Sequence, residues 1–223
     1  MCVNDAGVGR PAVEYLSLAD CGLVQIDADA FEGLHNLTSL TLSRCLVNET
    51  VLARAFAAAS FRTRLMRLDI SETYIANLSV ELVGSFGNLV GLFASYCDLA
   101  SVDRQLFQHI PLLETLDVDG GRLDRLDGVE ELTRLRRLSA HMNQLTELAL
   151  DGNDMLETID VSYNRLQRLS AGWLGGGGAA TGDVQLLNLS HNQIELIKRD
   201  AISHMSAIST LDLSHNRLSA FPK

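Results

Sequence analysis

Aliphatic residues recur along the chain in the string L-x-x-L-x-L-x-x-N/C-x-L, in which L is any aliphatic residue. Within each string, as at Leu187 and Leu189, apolar and polar residues alternate, which predicts a short strand with one buried face. A single unit cannot bury its apolar edge alone, so stacked neighbours must share one continuous core. The nine strings define repeats 1 to 9, which begin at Val13, Leu37, Leu65, Leu89, Leu113, Leu135, Leu156, Val184 and Ile208.

A second apolar pair, spaced by three residues, closes most repeats and predicts a short helix or 3₁₀ turn. Such pairs are Phe31 and Leu34, Val83 and Phe86, Phe107 and Ile110, and Ile202 and Met205. The combined pattern is similar to the signature of leucine-rich repeats, from Val13 to Phe221. The resemblance implies an α/β solenoid, a horseshoe with a parallel β-sheet on the concave side and short helices, 3₁₀ turns or loops on the convex side.

The ninth position of each string predicts a ladder of small polar side chains where the chain turns inward. Asparagine there can donate and accept hydrogen bonds for buried backbone groups, and threonine or cysteine is a weaker substitute. We therefore expect the cysteines to be structural rather than redox-active or metal-binding, and a local irregularity at Gly121. The ladder is Cys21, Cys45, Thr73, Cys97, Gly121, Asn143, Asn164, Asn192 and Asn216.

Two repeats are longer than their neighbours. The second contains an Ala-rich, helix-prone insert over Val51–Arg64, and the seventh contains an insert around Trp173–Thr181. The four consecutive glycines 175–178 predict a mobile convex loop, because glycine loses the most backbone entropy on ordering. No Lys-Ser/Thr pair follows them, so they do not form a phosphate-binding loop.

The composition narrows the classes of function. The net charge of −10 leaves no basic surface to neutralise phosphates, so nucleic acid is not an expected partner. No run of 18 apolar residues occurs, so we expect no membrane-spanning segment. We expect residues 1–12 to be a residual N-terminal cap or lead-in. Residues 13–223 then form a repeat domain whose last repeat is truncated, and its uncapped ends allow self-association.

In leucine-rich repeats, the second, third, fifth, seventh and eighth positions face the concave side. Most are small or polar here, but repeats 4 to 7 carry aromatic, methionine, arginine and acidic residues, the types suited to interface centres or hydrogen bonding. The same residues could instead only stack across the sheet. The predicted binding face contains Phe93, Tyr96, Asp117, Asp119, Arg137, His141, Met142 and Tyr163, with Arg136 nearby.

No catalytic or metal site is predicted. His191 and His215 occupy the same column one repeat apart, with Asp212 close, but a metal site needs a third well-placed ligand. No nucleophile, base and orienting group converge by register. We therefore expect no enzyme activity, no metal and no cofactor, and a protein as the partner.

Four N-x-S/T sequons, more than chance gives, favour an extracellular or cell-surface location. They are Asn36, Asn48, Asn77 and Asn188. The 24-residue repeats with a late phenylalanine are similar to animal extracellular repeats. The spacings of 22 and 21 residues after Leu113 and Leu135 keep a cytoplasmic location open.

The stretch from Leu135 to Leu169 resembles mosquito leucine-rich immune proteins, and the whole chain resembles insect Toll-type and chaoptin-type extracellular proteins. The resemblance implies ligand recognition, adhesion or innate immunity. An intracellular scaffold or phosphatase regulator remains the alternative function.

Overall fold

A computed structural model describes residues 12–169, 173–174, 184–198, 201 and 205–220. Its main feature is a nine-stranded parallel sheet in which spatial order follows chain order, one strand per repeat. The predicted parallel concave sheet is therefore confirmed. The strands are Tyr15–Ser17, Ser39–Thr41, Arg67–Asp69, Gly91–Phe93, Thr115–Asp117, Arg137–Ser139, Thr158–Asp160, Leu186–Asn188 and Thr210–Asp212.

The strand register explains why the sequence repeats. The central residue of each strand pairs with the central residue of the next, as Leu40 pairs with Leu68 and Leu68 with Leu92. These central leucines are fully buried. A shift of any strand by one residue would turn its apolar side chains to solvent, so the apolar positions of all nine repeats stay aligned.

The convex side is irregular and contains the short helices α1 Glu49–Ala57, α2 Val80–Val83, α3 Leu106–His109 and a 3₁₀ helix Val129–Glu131. The apolar pairs Val83 with Phe86 and Phe107 with Ile110 begin in α2 and α3, whereas the segment of Phe31 and Leu34 forms turns without a helix. The pair of Ile202 and Met205 lies partly outside the described residues, because Ile202 is not described. Two pairs of two-residue strands lie outside the main sheet, Asn77–Leu78 with Ser101–Val102 and Arg168–Leu169 with Leu196–Ile197. No helix in the described ranges has the length and apolar character needed to cross a bilayer.

Helix α1 begins earlier than the helix-prone insert over 51–64 predicts. Asn48 is the reason, because its side chain accepts a hydrogen bond from the Val51 N–H at 3.0 Å and caps the first turn. After Ala57 the insert continues as turns rather than as helix. The glycine run 175–178 lies outside the described residues.

Four phenylalanines form a cluster beneath the convex side of repeats 1 to 3. Phe56 and Phe86 meet edge to face with ring centroids 5.2 Å apart, and Phe31 and Phe61 meet in the same way at 5.6 Å. All four are buried. Offset and edge-to-face rings fill this wide part of the core, where the second repeat has its extra residues.

Candidate functional site

The turn after each strand has an unusual backbone conformation. The eighth residue has a positive φ, between 54° and 63°, in every one of the nine repeats, all of which the structure describes at this position. Only one of these residues is glycine, although left-handed backbone disfavours other residues. The eighth residues, which we call column 8, are Asp20, Arg44, Glu72, Tyr96, Gly120, Met142, Tyr163, His191 and His215.

The ninth residue stabilises this turn through hydrogen bonds to two repeats. The Asn164 Oδ1 atom accepts from the Leu145 N–H of the preceding repeat at 2.9 Å. Its Nδ2 atom donates to the carbonyls of Ala140 at 2.9 Å and Val161 at 3.1 Å. The same arrangement recurs at Asn143, Asn192 and Asn216.

The cysteines and threonine of the ladder make fewer bonds. The thiols of Cys45 and Cys97 donate to the carbonyls of Leu18 and Ile70, each at 3.1 Å. Burial raises the pKa of the Cys97 thiol, which keeps it protonated and unreactive. The Thr73 hydroxyl also donates to Ile70 O, whereas Cys21 is exposed. All three described cysteines are free thiols.

The expected irregularity at Gly121 does not appear in the strand register. The strand of repeat 5 pairs in phase with both neighbours. The Arg122 N–H donates to Leu99 O at 2.7 Å, as the equivalent residue does in other repeats. A Cβ on Gly121 would lie 2.8 Å from the Asn143 Oδ1 atom, so the missing side chain leaves space for the next ladder residue.

The side chains of column 8 form two different halves. In repeats 1 to 3, Arg44 lies 3.1 Å from Asp20 and 3.9 Å from Glu72, in exposed ion pairs. In repeats 7 to 9 the rings of Tyr163, His191 and His215 stack, with successive centroids 3.9 Å and 4.0 Å apart. Column 8 therefore changes from charged side chains in repeats 1 to 3 to aromatic side chains in repeats 7 to 9.

The middle of column 8 presents the largest exposed side chains of the predicted binding face. Tyr96 is 54% exposed, and Met142 and Tyr163 are each 48% exposed. The Tyr96 ring lies over Gly120, where any Cβ would collide with it. Glycine in repeat 5 thus lets the Tyr96 ring occupy the space that a side chain at position 120 would fill.

Phe93 lies differently from the other aromatic residues of the predicted face. It is half-buried, and the guanidinium carbon of Arg67 sits 3.8 Å from its ring centroid. A Cβ on Gly91 would lie 3.0 Å from the same ring. A ring covered by Arg67 contributes to sheet packing and a cation–π contact more than to free binding surface.

Beside column 8, acids and hydroxyl groups form a hydrogen-bonded network across repeats 4 to 8. Asp119 accepts from the Ser139 hydroxyl and from the His141 N–H, both at 2.7 Å. The Ser95 hydroxyl donates to Asp117. These bonds hold both carboxylates of the predicted face in place.

The network continues from His141 to residues that sequence reasoning did not select. His141 Nδ1 lies 2.8 Å from the Ser162 hydroxyl, which donates to Asp160 at 2.6 Å. Asn188 Nδ2 donates to the other oxygen of Asp160 at 3.0 Å. The sequence does contain a signal for these residues, since repeats 7 and 8 each have an acid or amide at position five and serine at position seven.

The arginines of repeat 6 differ in their partners. Arg136 forms ion pairs with Glu114 and Glu157, which directly precede the flanking strands. Arg137 is exposed and forms no ion pair within the described part of the chain. Arg137 is therefore the cation of repeat 6 that a bound ligand could reach.

Comparison with known proteins identifies the type of chain. The sequence profile described as Leucine rich repeat matches residues 155–218. Leucine-rich repeat-containing G-protein coupled receptor 5 of Rattus norvegicus is 30% identical over 138 residues, which are 52% of this chain and 15% of the receptor. Lumican of Homo sapiens is 26% identical over 215 residues, which cover 93% of this chain and 52% of lumican.

The crystal structure of the APL1 leucine-rich repeat domain superposes with a TM-score of 0.74 at 20% identity. The match covers 93% of this chain and 50% of that one. The chain has the fold of a leucine-rich-repeat solenoid, and its residues 155–218 match the leucine-rich-repeat family itself. It spans about half or less of the length of these three proteins. The predicted resemblance to extracellular leucine-rich-repeat receptors and immune proteins is confirmed.

The four sequons of the chain lie in two different environments. Asn36, Asn48 and Asn77 are exposed, away from the concave strands. Asn188 lies within a concave strand, and its Nδ2 atom, which would carry a glycan, already donates to Asp160. The first three are therefore the accessible candidates.

The paired histidines His191 and His215 stack face to face. Within the described residues no group of three or more histidine, cysteine, aspartate or glutamate side chains could hold a metal ion. Hydrogen bonds from the Ser214 N–H and side chain lower the pKa of Asp212.

The raised pKa of Asp119 predicts that the stability of the folded protein depends on pH. Burial raises its pKa to about 6, against the opposing hydrogen bond from Ser139 and with help from the Asp117 charge. The unfolded pKa is about 3.9, so the proton that favours the folded state is lost as pH rises from about 4 through 6. Because Asp119 is only partly buried, we expect a loss of about 1 kcal/mol.

Asp119→Asn keeps the acceptor oxygen and should remove this pH dependence. The measurement is urea unfolding of both proteins at pH 4.0 and pH 7.0, because other carboxylates cancel in the difference. If the difference in unfolding free energy between the wild type and Asp119→Asn is the same at both pH values, the pKa of Asp119 is not raised in the folded state.

Proposed function

We propose that the leucine-rich-repeat protein is a non-enzymatic recognition module that binds a protein on the concave face of repeats 4 to 7. The observation that carries the proposal is the exposed Tyr96, Met142 and Tyr163 column beside an immobilised acid network. Tyrosine and methionine supply contact area, and fixed carboxylates accept hydrogen bonds without further ordering. The related rat protein is named as a receptor, which supports recognition rather than catalysis.

We also propose that recognition takes place outside the cell. Three sequons are exposed and lie off the concave strands, so no glycan would be attached within the strands of the proposed binding face. The alternative, an intracellular scaffold or phosphatase regulator, rests on the two short repeats. Glycan occupancy after export from insect cells separates the two functions.

The binding test uses an array of secreted proteins and cell-surface ectodomains as probes. We expect Tyr96→Ala combined with Tyr163→Ala to weaken binding to a captured ectodomain at least 10-fold, as loss of central aromatic residues does. Both rings are about half exposed, so melting should change little.

Tyr15→Ala is the matched control, since Tyr15 is 75% exposed on the same sheet but in repeat 1. It should leave binding unchanged. Equal loss in the control, or undiminished binding by the double variant, would refute the location of the face.

A further inference from the structure

An exposed apolar pair lies outside the proposed binding face. Leu46 and Tyr74 occupy the tenth position of repeats 2 and 3 and are 49% and 65% exposed. They border a groove of about 480 Å³ whose lining also includes Arg44, Glu72 and Asp98, together with Tyr96 of the proposed binding face. Apolar surface ringed by charged groups suits a sugar, because pyranose C–H bonds pack on the negative face of an aromatic ring while hydroxyls bind polar groups.

A sequon adjoins this pair. Asn48, in the sequence Asn48-Glu49-Thr50, forms a parallel β-bridge with Tyr74. Bridged residues on adjacent parallel segments lie about 5 Å apart and project to the same side. The backbones of Asn48 and Tyr74 are therefore adjacent, and both residues are exposed.

The Asn48 side chain is available for modification without loss of its structural role. Its Oδ1 atom caps α1 by accepting from the Val51 N–H. Its Nδ2 atom donates to none of the residues that the structure describes. A glycan on Nδ2 would leave the cap intact.

Glu49 fixes the two segments relative to each other. Its Oε2 atom accepts hydrogen bonds from the N–H groups of Ala76 and Asn77, each at 3.1 Å. The Tyr74 N–H donates to Val47 O at 3.0 Å. Three hydrogen bonds thus hold the segment that contains Tyr74 against the segment that contains Asn48.

We propose that Asn48 carries an N-linked glycan whose first N-acetylglucosamine units pack on Tyr74 and Leu46; this inference rests on the proposed extracellular function. The donor is a lipid-pyrophosphate-linked oligosaccharide. A bond forms between Nδ2 and the anomeric carbon, the sugar–phosphate bond breaks, and one Nδ2 proton leaves as the lipid pyrophosphate departs. The glycan covers the apolar pair and couples α1 to repeat 3.

The test compares four chains exported from insect cells behind an added signal peptide: wild type, Tyr74→Ala, Thr50→Ala and the double variant. Thr50→Ala abolishes the sequon but keeps the Asn48 cap, so it removes only the glycan. Glycopeptide mass spectrometry measures occupancy at Asn48. We expect Tyr74→Ala to lower Tm by about 3 °C in the glycosylated chain and by less than about 1 °C in the Thr50→Ala background.

The same four chains from bacteria, which lack the glycan, should show no such coupling. Occupied Asn48 without coupling, or unoccupied Asn48 beside occupied Asn36, would overturn this inference and leave the extracellular function standing. If the effect of Tyr74→Ala on Tm instead disappears in an Asn77→Asp background, the inference is also overturned, because Tyr74 would then support the glycan of the other sequon. Absence of glycan from all four sequons of the exported chain would count against both proposals.

Discussion

Replacing Asn164 with alanine is expected to lower the free energy of unfolding by about 3 kcal/mol, because the substitution leaves a buried backbone N–H unpaired. The Leu145 N–H would lose its acceptor, and the carbonyl of Ala140 would keep only the longer bond from Asn143 Nδ2, at 3.3 Å. Asn164 is buried, and stacked repeats on both sides exclude water that could replace the amide. Urea unfolding followed by circular dichroism measures the change.

Asn216→Ala is the matched control for this prediction. Asn216 makes the same bonds, to the Ile194 N–H at 2.9 Å and to the carbonyls of Leu189 and Leu213 at 2.8 Å and 3.0 Å. It is only partly buried, in the last described repeat, so water can replace the amide and the loss should be about 1 kcal/mol. Equal losses at both positions would mean that burial does not set the cost of the missing ladder bond.

The position of the ladder could be predicted from the sequence because it depends on repetition. A string that recurs nine times forces every central leucine and every ninth residue into stacked columns. The same reasoning located Tyr96, Met142 and Tyr163 on the concave side. Period and phase are properties of the backbone, and they do not depend on the rotamer of any one side chain.

Other features depend on pairwise contacts that no period encodes. Phe93 has the register of an exposed residue, yet Arg67 from the adjacent strand covers its ring. Asp119 and His141 are joined through a backbone N–H, which a list of side chains does not reveal. The start of α1 was misplaced because Asn48 was considered as a sequon and not as a helix cap.

Column 8 shows the same limit in the backbone. Nothing in Tyr, Met or Arg predicts a positive φ, since these residues normally avoid it. The left-handed turn is held by a bond to the next repeat, because the N–H of the column 8 residue donates to the carbonyl of the seventh residue there, as Tyr96 donates to Asp119 and Met142 to Ser162. The neighbouring repeat therefore overrides the local preference.

The junction between the two shortest repeats carries the second large prediction. Gly152 of repeat 6 approaches the backbone so closely that a Cβ would overlap the Glu130 carbonyl oxygen of the 3₁₀ helix in repeat 5. The adjacent Asn153 draws the segments together, since its Nδ2 atom donates to the carbonyls of Val129 and Leu132, both at 2.9 Å. Repeat 6, with 21 residues, has no helix to act as a spacer there.

Gly152→Ala should therefore cost about 3 kcal/mol of unfolding free energy, because backbone must move and both Asn153 bonds must lengthen. Gly87→Ala is the control, since a Cβ there would lie 3.7 Å from the nearest atom, His109 O, which is an ordinary contact. That control should change stability by less than about 1 kcal/mol. Amide hydrogen exchange should also show faster exchange at Asn153 and Leu156, whose N–H groups bond within this segment. If Gly152→Ala unfolds at the same urea concentration as Gly87→Ala, the close approach of the two short repeats is not required for the solenoid, and tight packing between them does not explain their reduced length.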